Sequence, residues 1–157
     1  MKYVKFEGNE IILMTGSQTH SDVKMIFGKH CHVASAGQCM IYPYESPKVQ
    51  VSCSDKSVTL KIESAEGDSD LVKNGLRDIQ FFVFKNDEVL LLINCKLSKA
   101  DAQRVYYNDI IATGHCSIIT GADDNLKVLC SDIDSVNSGD AVENHIRIYC
   151  GLNNPYM

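Results

Sequence analysis

Several features that would identify a common functional class are missing from this chain. It has no tryptophan, and nowhere do its apolar residues form an unbroken run of the roughly 18 that a membrane-spanning helix needs. The N-terminal sequence MKYVKFEGNE lacks the apolar core of a secretory signal peptide. We therefore expect a soluble, cytoplasmic protein.

The motifs of the familiar catalytic sites are also missing. The sequence has no G-x-S-x-G, H-E-x-x-H, P-loop or dinucleotide-binding fingerprint, and no C-x-x-C pair. It also has no cluster of basic residues, which argues against nucleic acid as a partner. No cofactor and no catalytic residue are predicted from these patterns, and the balance favours a binding protein over an enzyme.

The negative charge of the chain is placed unevenly. Residues 1–66 carry seven lysines and seven acidic residues, whereas residues 67–157 carry eight basic and thirteen acidic residues, which is the whole net charge of −5. Such an excess is most often a solvated surface, although it would also suit a basic partner.

The most informative feature that is present is an internal repeat. At a constant offset of 77 residues, segment 35–57 matches segment 112–134 in its glycine, two cysteines and Ser-Asp dipeptide. The matching pairs are Gly37 and Gly114, Cys39 and Cys116, Cys53 and Cys130, Ser54 and Ser131, and Asp55 and Asp132.

The apolar patterns around the repeat predict an α+β fold of two tandem units, residues 1–76 and 77–157. Each unit is interpreted as β-β-α-β-β-β with a mostly antiparallel sheet, the two packing with pseudo-two-fold symmetry into one compact domain or two. In the first unit, residues 19–28 are predicted as the helix and residues 58–62 as one strand. In the second unit, residues 137–144 are predicted as a loop and residues 145–150 as the last strand.

The first unit contains a series of short motifs: Lys2-Tyr3-Val4, Gly8, His20-Ser21-Asp22, Ser35-Ala36-Gly37, Ser57 with Leu60, and Ser64 with Gly67-Asp68 and Leu71. In these residues the unit resembles a group of small proteins encoded by bacteriophages and prophages. The chain departs from that pattern at Asp55, where the group has glycine. The resemblance implies a phage accessory protein of the bacterial cytoplasm, for which an anti-defence role is the natural expectation. It implies no particular chemistry.

The cysteines of the repeat have alternative interpretations. If segments 38–53 and 115–130 are hairpins, Cys39 faces Cys53 and Cys116 faces Cys130. Such pairs could be a cross-strand disulfide, a redox dithiol or half of a metal site. Their phase with neighbouring valines favours packing in the core as reduced thiols, and an odd total of seven cysteines argues against a disulfide scaffold.

An alternative function is a metal- or thiol-dependent enzyme built around His30-Cys31-His32. His30 and His32 share a face if this segment is a strand, and Cys39 could complete a set of ligands for zinc or copper. Surface histidines in a loop are the simpler interpretation.

The preferred hypothesis is a non-enzymatic protein that binds a host protein or a small ligand. The contact residues would be Tyr42 and Tyr44, on a loop bounded by prolines, together with the two Ser-Asp turns, Ser54-Asp55 and Ser131-Asp132. Tyrosine offers a large contact area with a polar end. Self-association, through which the protein would act as a scaffold, is a further alternative.

Overall fold

The computed structural model describes residues 1–16 and 32–152. The helix predicted at residues 19–28 lies outside these ranges, as do His30 and Cys31. Within them the fold is α+β, with one large antiparallel sheet, a separate two-stranded sheet and three helices.

The first half begins with a hairpin of two short strands, β1 (Lys2–Phe6) and β2 (Ile11–Met14). Asn9 takes a positive φ of 67° in the connecting turn, a conformation that asparagine tolerates better than most residues. A longer hairpin follows, formed by β3 (Val33–Pro43) and β4 (Val49–Ser54). Two short strands, β5 (Lys56–Ser57) and β6 (Ile62–Glu63), lead to helix α1 (Asp68–Gly75).

The second half opens with β7 (Ile79–Phe84) and β8 (Val89–Ile93), again a hairpin. Helix α2 (Lys99–Tyr106) comes next, and the Ser98 side chain caps it by accepting a hydrogen bond from the Asp101 amide. Two long strands, β9 (Ile110–Thr120) and β10 (Leu126–Ser135), precede helix α3 (Gly139–Tyr149).

Strands from both halves form the eight-stranded sheet, in the order β10-β9-β7-β8-β2-β1-β3-β4. The halves meet where β2 pairs antiparallel with β8, in a register that sets Ile11 opposite Ile93 and Leu13 opposite Leu91. These two strands are buried on both faces, which explains why IILM and VLLLI are continuous apolar runs rather than alternating ones.

Each face of the sheet has its own core. On the inner face, Tyr3, Leu13, Phe81 and Leu91 pack with residues of α1 and α3. On the outer face the apolar residues of the central strands pack with Ala102, Val105 and Tyr106 of α2, and they include Val4, Ile12, Phe82 and Leu92.

The sheet curls until its two ends meet. The loop between β3 and β4 reaches Thr120 at the end of β9, whose amide donates to the Pro47 carbonyl at 3.3 Å. Thr120 also accepts hydrogen bonds from the Tyr44 amide at 3.2 Å and from the Ser46 hydroxyl at 2.9 Å. The inner core is therefore enclosed by the sheet and by the helices packed inside it.

Two local predictions are wrong. Residues 145–150 are not a strand and residues 137–144 are not a loop, because α3 spans most of both segments. The spacing of four between the buried residues Val142, Ile146 and Cys150 is helical, and Ser138 caps the helix by accepting from the Ala141 amide. The second half is consequently β-β-α-β-β-α rather than β-β-α-β-β-β.

The single strand predicted at residues 58–62 is also wrong. The chain turns between β5 and β6, where Lys61 has a φ of 56° and Val58 is largely exposed. The hydroxyl of Ser57 accepts from the Leu60 amide at 3.1 Å, and this local bond stabilises the turn.

Candidate functional site

The β3–β4 hairpin holds the first cysteine pair. Cys39 and Cys53 are direct cross-strand partners, as predicted. The Cys53 amide donates at 2.8 Å to the Ser69 hydroxyl of α1, and the Cys39 amide donates at 2.7 Å to the Met1 carbonyl. Both amides therefore point away from the opposing strand. The pair occupies a non-hydrogen-bonded position, where Cα atoms are closest, at about 4.5 Å.

The two thiols of this pair differ in environment. Cys39 is only 1% exposed, and its pKa is raised by the hydrogen bond to Cys53 and by burial. Cys53 is partly exposed, and the hydrogen bond from Cys39 lowers its pKa, assisted by Ser69. Of the two thiols, Cys53 is therefore the one that ionises more readily.

The β9–β10 hairpin places the second cysteine pair in the same register. Cys116 lies opposite Cys130, again as predicted, and the Cys130 amide donates at 3.0 Å to Glu143 Oε1 of α3. Burial raises the pKa of Cys116, and burial with the nearby Glu143 carboxylate raises the pKa of Cys130 to about 12. In this pair the Glu143 carboxylate takes the place of the neutral Ser69 hydroxyl, and its negative charge opposes ionisation of the Cys130 thiol.

The two Ser-Asp dipeptides lie next to the repeated glycines. Ser54 ends β4 and Asp55 is a bend before β5, whereas Ser131 and Asp132 lie inside β10, where its pairing with β9 is irregular, so the turn predicted at Ser131-Asp132 is wrong. Asp55 and Asp132 both have positive φ, 71° and 52°. A Cβ on Gly37 would collide with the carbonyl oxygen of Ser54, and one on Gly114 would lie 2.9 Å from that of Ser131. The repeated glycines therefore give the backbone of each Ser-Asp dipeptide room to approach. Both dipeptides are exposed, and each contacts its own hairpin; among the described residues no hydrogen bond joins one dipeptide to the other.

Tyr42 and Tyr44 lie near the turn of the β3–β4 hairpin. Tyr44 is 48% exposed, and the Tyr42 hydroxyl donates to Met40 Sδ at 3.1 Å. Met40 is itself 53% exposed, although the sequence interpretation did not single it out. The alternation of side chains along β3 could have identified Met40 as exposed, since Met40 and Tyr42 point away from the face that buries Cys39 and Ile41.

A surface of mixed character results, which we call the outer hairpin surface. Opposite Met40 and Tyr42 on β4 are Ser52 and Gln50, both exposed. The outer hairpin surface is defined as Met40, Tyr42, Tyr44, Gln50 and Ser52. It is backed by the buried side of the same two strands, so its side chains stand on a rigid support.

A buried polar cluster lies beneath β1 and was not predicted as a site. The Asp68 side chain is 1% exposed, and its Oδ2 accepts from the Tyr3 hydroxyl at 2.6 Å and from the Ala65 amide at 3.0 Å. Asp68 Oδ1 has no hydrogen-bond partner, but Lys5 Nζ lies 3.8 Å away. Burial, then the hydrogen bond to Asp68, raises the pKa of Tyr3. No part of Tyr3 is exposed to a substrate, so the cluster ties β1 to α1 and stabilises the fold.

Near the start of β7 is a cavity of about 300 Å³ with cationic lining. Arg77, Lys96 and His115 contribute to it, and the one acidic residue that lines it is Asp78, 3.8 Å from His115. The side chains of Arg77 and Lys96 make no ion pair or hydrogen bond with any part of the chain that the structure describes. Amide side chains complete the lining, from Asn74, Gln80 and Asn94.

The predicted metal set is not assembled by the described residues. His32 is exposed just before β3, and Cys39 lies seven residues further along the strand, or about 23 Å at the rise of a β-strand. Across residues 1–16 and 32–152, no three His, Cys, Asp or Glu side chains come close enough together to hold a metal ion.

The helices in the described ranges are too short and too polar to cross a membrane. Comparisons of the chain with protein-family models, with curated proteins and with solved structures found no match.

Proposed function

We propose that this protein acts by binding another protein, without catalysis, through the outer hairpin surface. The observation that carries the proposal is the exposure of Met40 and Tyr44, about half of each residue, on a hairpin whose other face buries its apolar side chains, Cys39, Ile41, Val49 and Val51. Methionine and tyrosine are enriched where proteins bind one another, because they bury large areas on contact. The exposed Ser-Asp dipeptides, Ser54-Asp55 and Ser131-Asp132, are kept as further contact residues.

We also propose that the two halves are tandem copies of one unit. At the offset of 77, both hairpins pair their cysteines in the same register, and in both an aspartate of positive φ follows two residues after the second cysteine. Outward from the central β2–β8 pair, the strand orders β2-β1-β3-β4 and β8-β7-β9-β10 correspond element by element. Tyr3 lies opposite Gly37, and Phe81 opposite Gly114.

The biological setting that we propose is that of a phage or prophage accessory protein with an anti-defence role. The support is the resemblance of the first unit to small phage proteins. In the bacterial cytoplasm the target would be a host protein, and the acidic second half suits one with a basic surface.

The test is a comparison of surface variants for binding. The protein is mixed with purified host defence proteins, and complexes are measured by calorimetry and size-exclusion chromatography. Met40→Asp with Tyr44→Asp should weaken a complex at least about tenfold, because contact residues of this type dominate binding energy. Self-association is read from the same chromatography.

The matched control is Val58→Asp with Val136→Asp, since both valines are highly exposed apolar residues that are not part of the outer hairpin surface. This variant should bind like the unmodified protein. A complex that tolerates Met40→Asp with Tyr44→Asp, or that both variants weaken equally, would show that the outer hairpin surface is not the contact site.

A second candidate function is the binding of a small anion in the cationic cavity. The specific observation is that Arg77 and Lys96, unpaired among the described residues, line the same cavity of about 300 Å³ in a chain of net charge −5. Such a site would take a phosphate or carboxylate group.

Titration with inorganic phosphate and with nucleoside monophosphates should give saturable heat that Arg77→Ala with Lys96→Ala abolishes. Arg104→Ala, on the exposed side of α2, is the control, and binding that survives the double substitution would exclude the cavity.

A further inference from the structure

We propose that Cys39 and Cys53 are a redox-active dithiol, which a small-molecule disulfide oxidises reversibly to a cross-strand disulfide. The proposal starts from register. The two residues face each other directly in a non-hydrogen-bonded position of the β3–β4 hairpin. A Cα separation of about 4.5 Å is at the short end of the range in which disulfides form, so the bond can close without separating the strands. A disulfide at that limit is also more readily reduced, which favours a reversible bond over a permanent one.

The two thiols are suited to different steps. Cys53 is partly exposed, and the hydrogen bonds from Cys39 and with Ser69 favour its thiolate, although the nearby Asp68 carboxylate opposes ionisation. Cys39 is buried beside Tyr3 and the Met1 amino group, so it cannot meet the oxidant first. Cys53 is therefore the attacking thiol, and Cys39 is the thiol that resolves the intermediate.

The chemistry balances with a small disulfide, RSSR, as the oxidant. The Cys53 thiolate attacks one sulfur of RSSR, forming a mixed disulfide and releasing RS⁻. The Cys39 sulfur then attacks Cys53 Sγ, the bond between Cys53 and R breaks, and a second RS⁻ leaves. The two protein thiols are oxidised by two electrons, RSSR is reduced to two RSH, and the two thiol protons end on them.

The second pair is a control supplied by the same chain. Cys116 and Cys130 share the register of the first pair, but Glu143 takes the place of Ser69, and burial together with the Glu143 carboxylate raises the pKa of the Cys130 thiol. Because disulfide exchange requires the thiolate, the first pair should oxidise at least about tenfold faster than the second.

The experiment is oxidation of the full-length protein by glutathione disulfide at neutral pH, quenched with acid and mapped by mass spectrometry after alkylation. Trypsin separates Cys39 from Cys53 at Lys48 and Cys116 from Cys130 at Lys127. The expected product links peptides 30–48 and 49–56, and it disappears on addition of dithiothreitol. Cys31 shares peptide 30–48 with Cys39, so the same linkage in a Cys31→Ser variant assigns the bond to Cys39.

Two variants separate the roles. Cys39→Ser should stop the reaction at a glutathione adduct on Cys53, whereas Cys53→Ser should form neither adduct nor disulfide in this hairpin. Circular dichroism confirms that each variant is folded, and if Cys39→Ser is not, the time course of the unmodified protein decides alone. Linkage of Cys116 with Cys130 at the same rate, or no Cys39–Cys53 linkage while Cys53 takes up glutathione, would overturn the proposal.

Discussion

The hydroxyl of Tyr3 donates a 2.6 Å hydrogen bond to the carboxylate of Asp68, and the bond joins the first strand to the first helix across 65 residues. Both residues are completely or almost completely buried. At the position of Tyr3 the second half has Phe81, which has no hydroxyl to donate. The two halves therefore stabilise the same strand position in different ways.

Removing this hydroxyl should destabilise the protein. Tyr3→Phe leaves the buried Asp68 carboxylate with one hydrogen bond fewer, and we expect the free energy of unfolding to fall by about 1–3 kcal/mol. Urea denaturation measures the change. Tyr107→Phe is the control, because Tyr107 is 88% exposed. This variant should unfold like the unmodified protein. Equal midpoints for Tyr3→Phe and Tyr107→Phe would mean that the bond contributes nothing to stability.

The repeated glycines should not tolerate even a methyl group. Gly37→Ala and Gly114→Ala each force a Cβ against a backbone carbonyl, which cannot move aside as a side chain can, so we expect losses of about 1–3 kcal/mol. Gly37→Ala should be the more harmful, because its clash is closer. Gly139→Ala is the matched control in thermal unfolding, since its Cβ would meet only a side-chain atom at 3.4 Å. A control as unstable as the other two would contradict this account.

Alkaline pH should destabilise the fold through Cys150. Burial raises the pKa of this thiol from about 9 to about 12 in the folded protein. Below pH 9 the thiol is protonated whether the chain is folded or not, so pH has no effect through it. As the pH rises from 9 toward 12, the unfolded chain loses this proton first, and the free energy of unfolding decreases.

The measurement is urea denaturation of the unmodified protein and of Cys150→Ala between pH 6 and 10.5. The variant should lose less stability above pH 9, because it lacks the buried thiol. Below pH 8 the two stability curves should run parallel, which serves as the internal control. Parallel curves over the whole range would show that Cys150 does not contribute to the pH dependence.

Glu143 should slow hydrogen exchange at the Cys130 amide of β10 and should also raise the pKa of the Cys130 thiol. Glu143→Ala removes the oxygen that accepts from the Cys130 amide, so hydrogen exchange at that amide should rise by about tenfold or more. Glu143→Gln keeps an acceptor but removes the charge, so exchange should stay slow while the pKa of Cys130 falls below its value of about 12. If the Cys130 amide exchanges as fast in Glu143→Gln as in Glu143→Ala, the side-chain amide oxygen of glutamine does not replace the carboxylate as hydrogen-bond acceptor.

The parts of the fold that the sequence predicted correctly depend on strict local patterns. The pairing of Cys39 with Cys53 followed from their equal distances to the turn, and the structure confirms it. The segment around Ile146 was misassigned, because HIRIYC alternates like a strand over six residues. Its helical spacing with Val142 and Cys150 shows only over a longer window that starts at the Ser138 cap.

The candidate site was only partly predictable. Tyr42 and Tyr44 were named from residue type and loop context, whereas Met40 emerged only once its face was known to be exposed. Arg77, Lys96 and His115 come from separate segments, and no local spacing in the chain indicates that they line one cavity.

The sequence by itself determined the repeated hairpins, because their paired cysteines, glycines and Ser-Asp dipeptides all lie within a single stretch of chain in each half. Tertiary structure alone decided that β2 pairs with β8, that the sheet curls until Thr120 meets Pro47, and that Asp68 receives the hydroxyl of Tyr3. It also decided that the Cys53 amide meets a serine hydroxyl and the Cys130 amide a carboxylate. These contacts join residues far apart in the chain, and their energies arise only when packing removes the surrounding water.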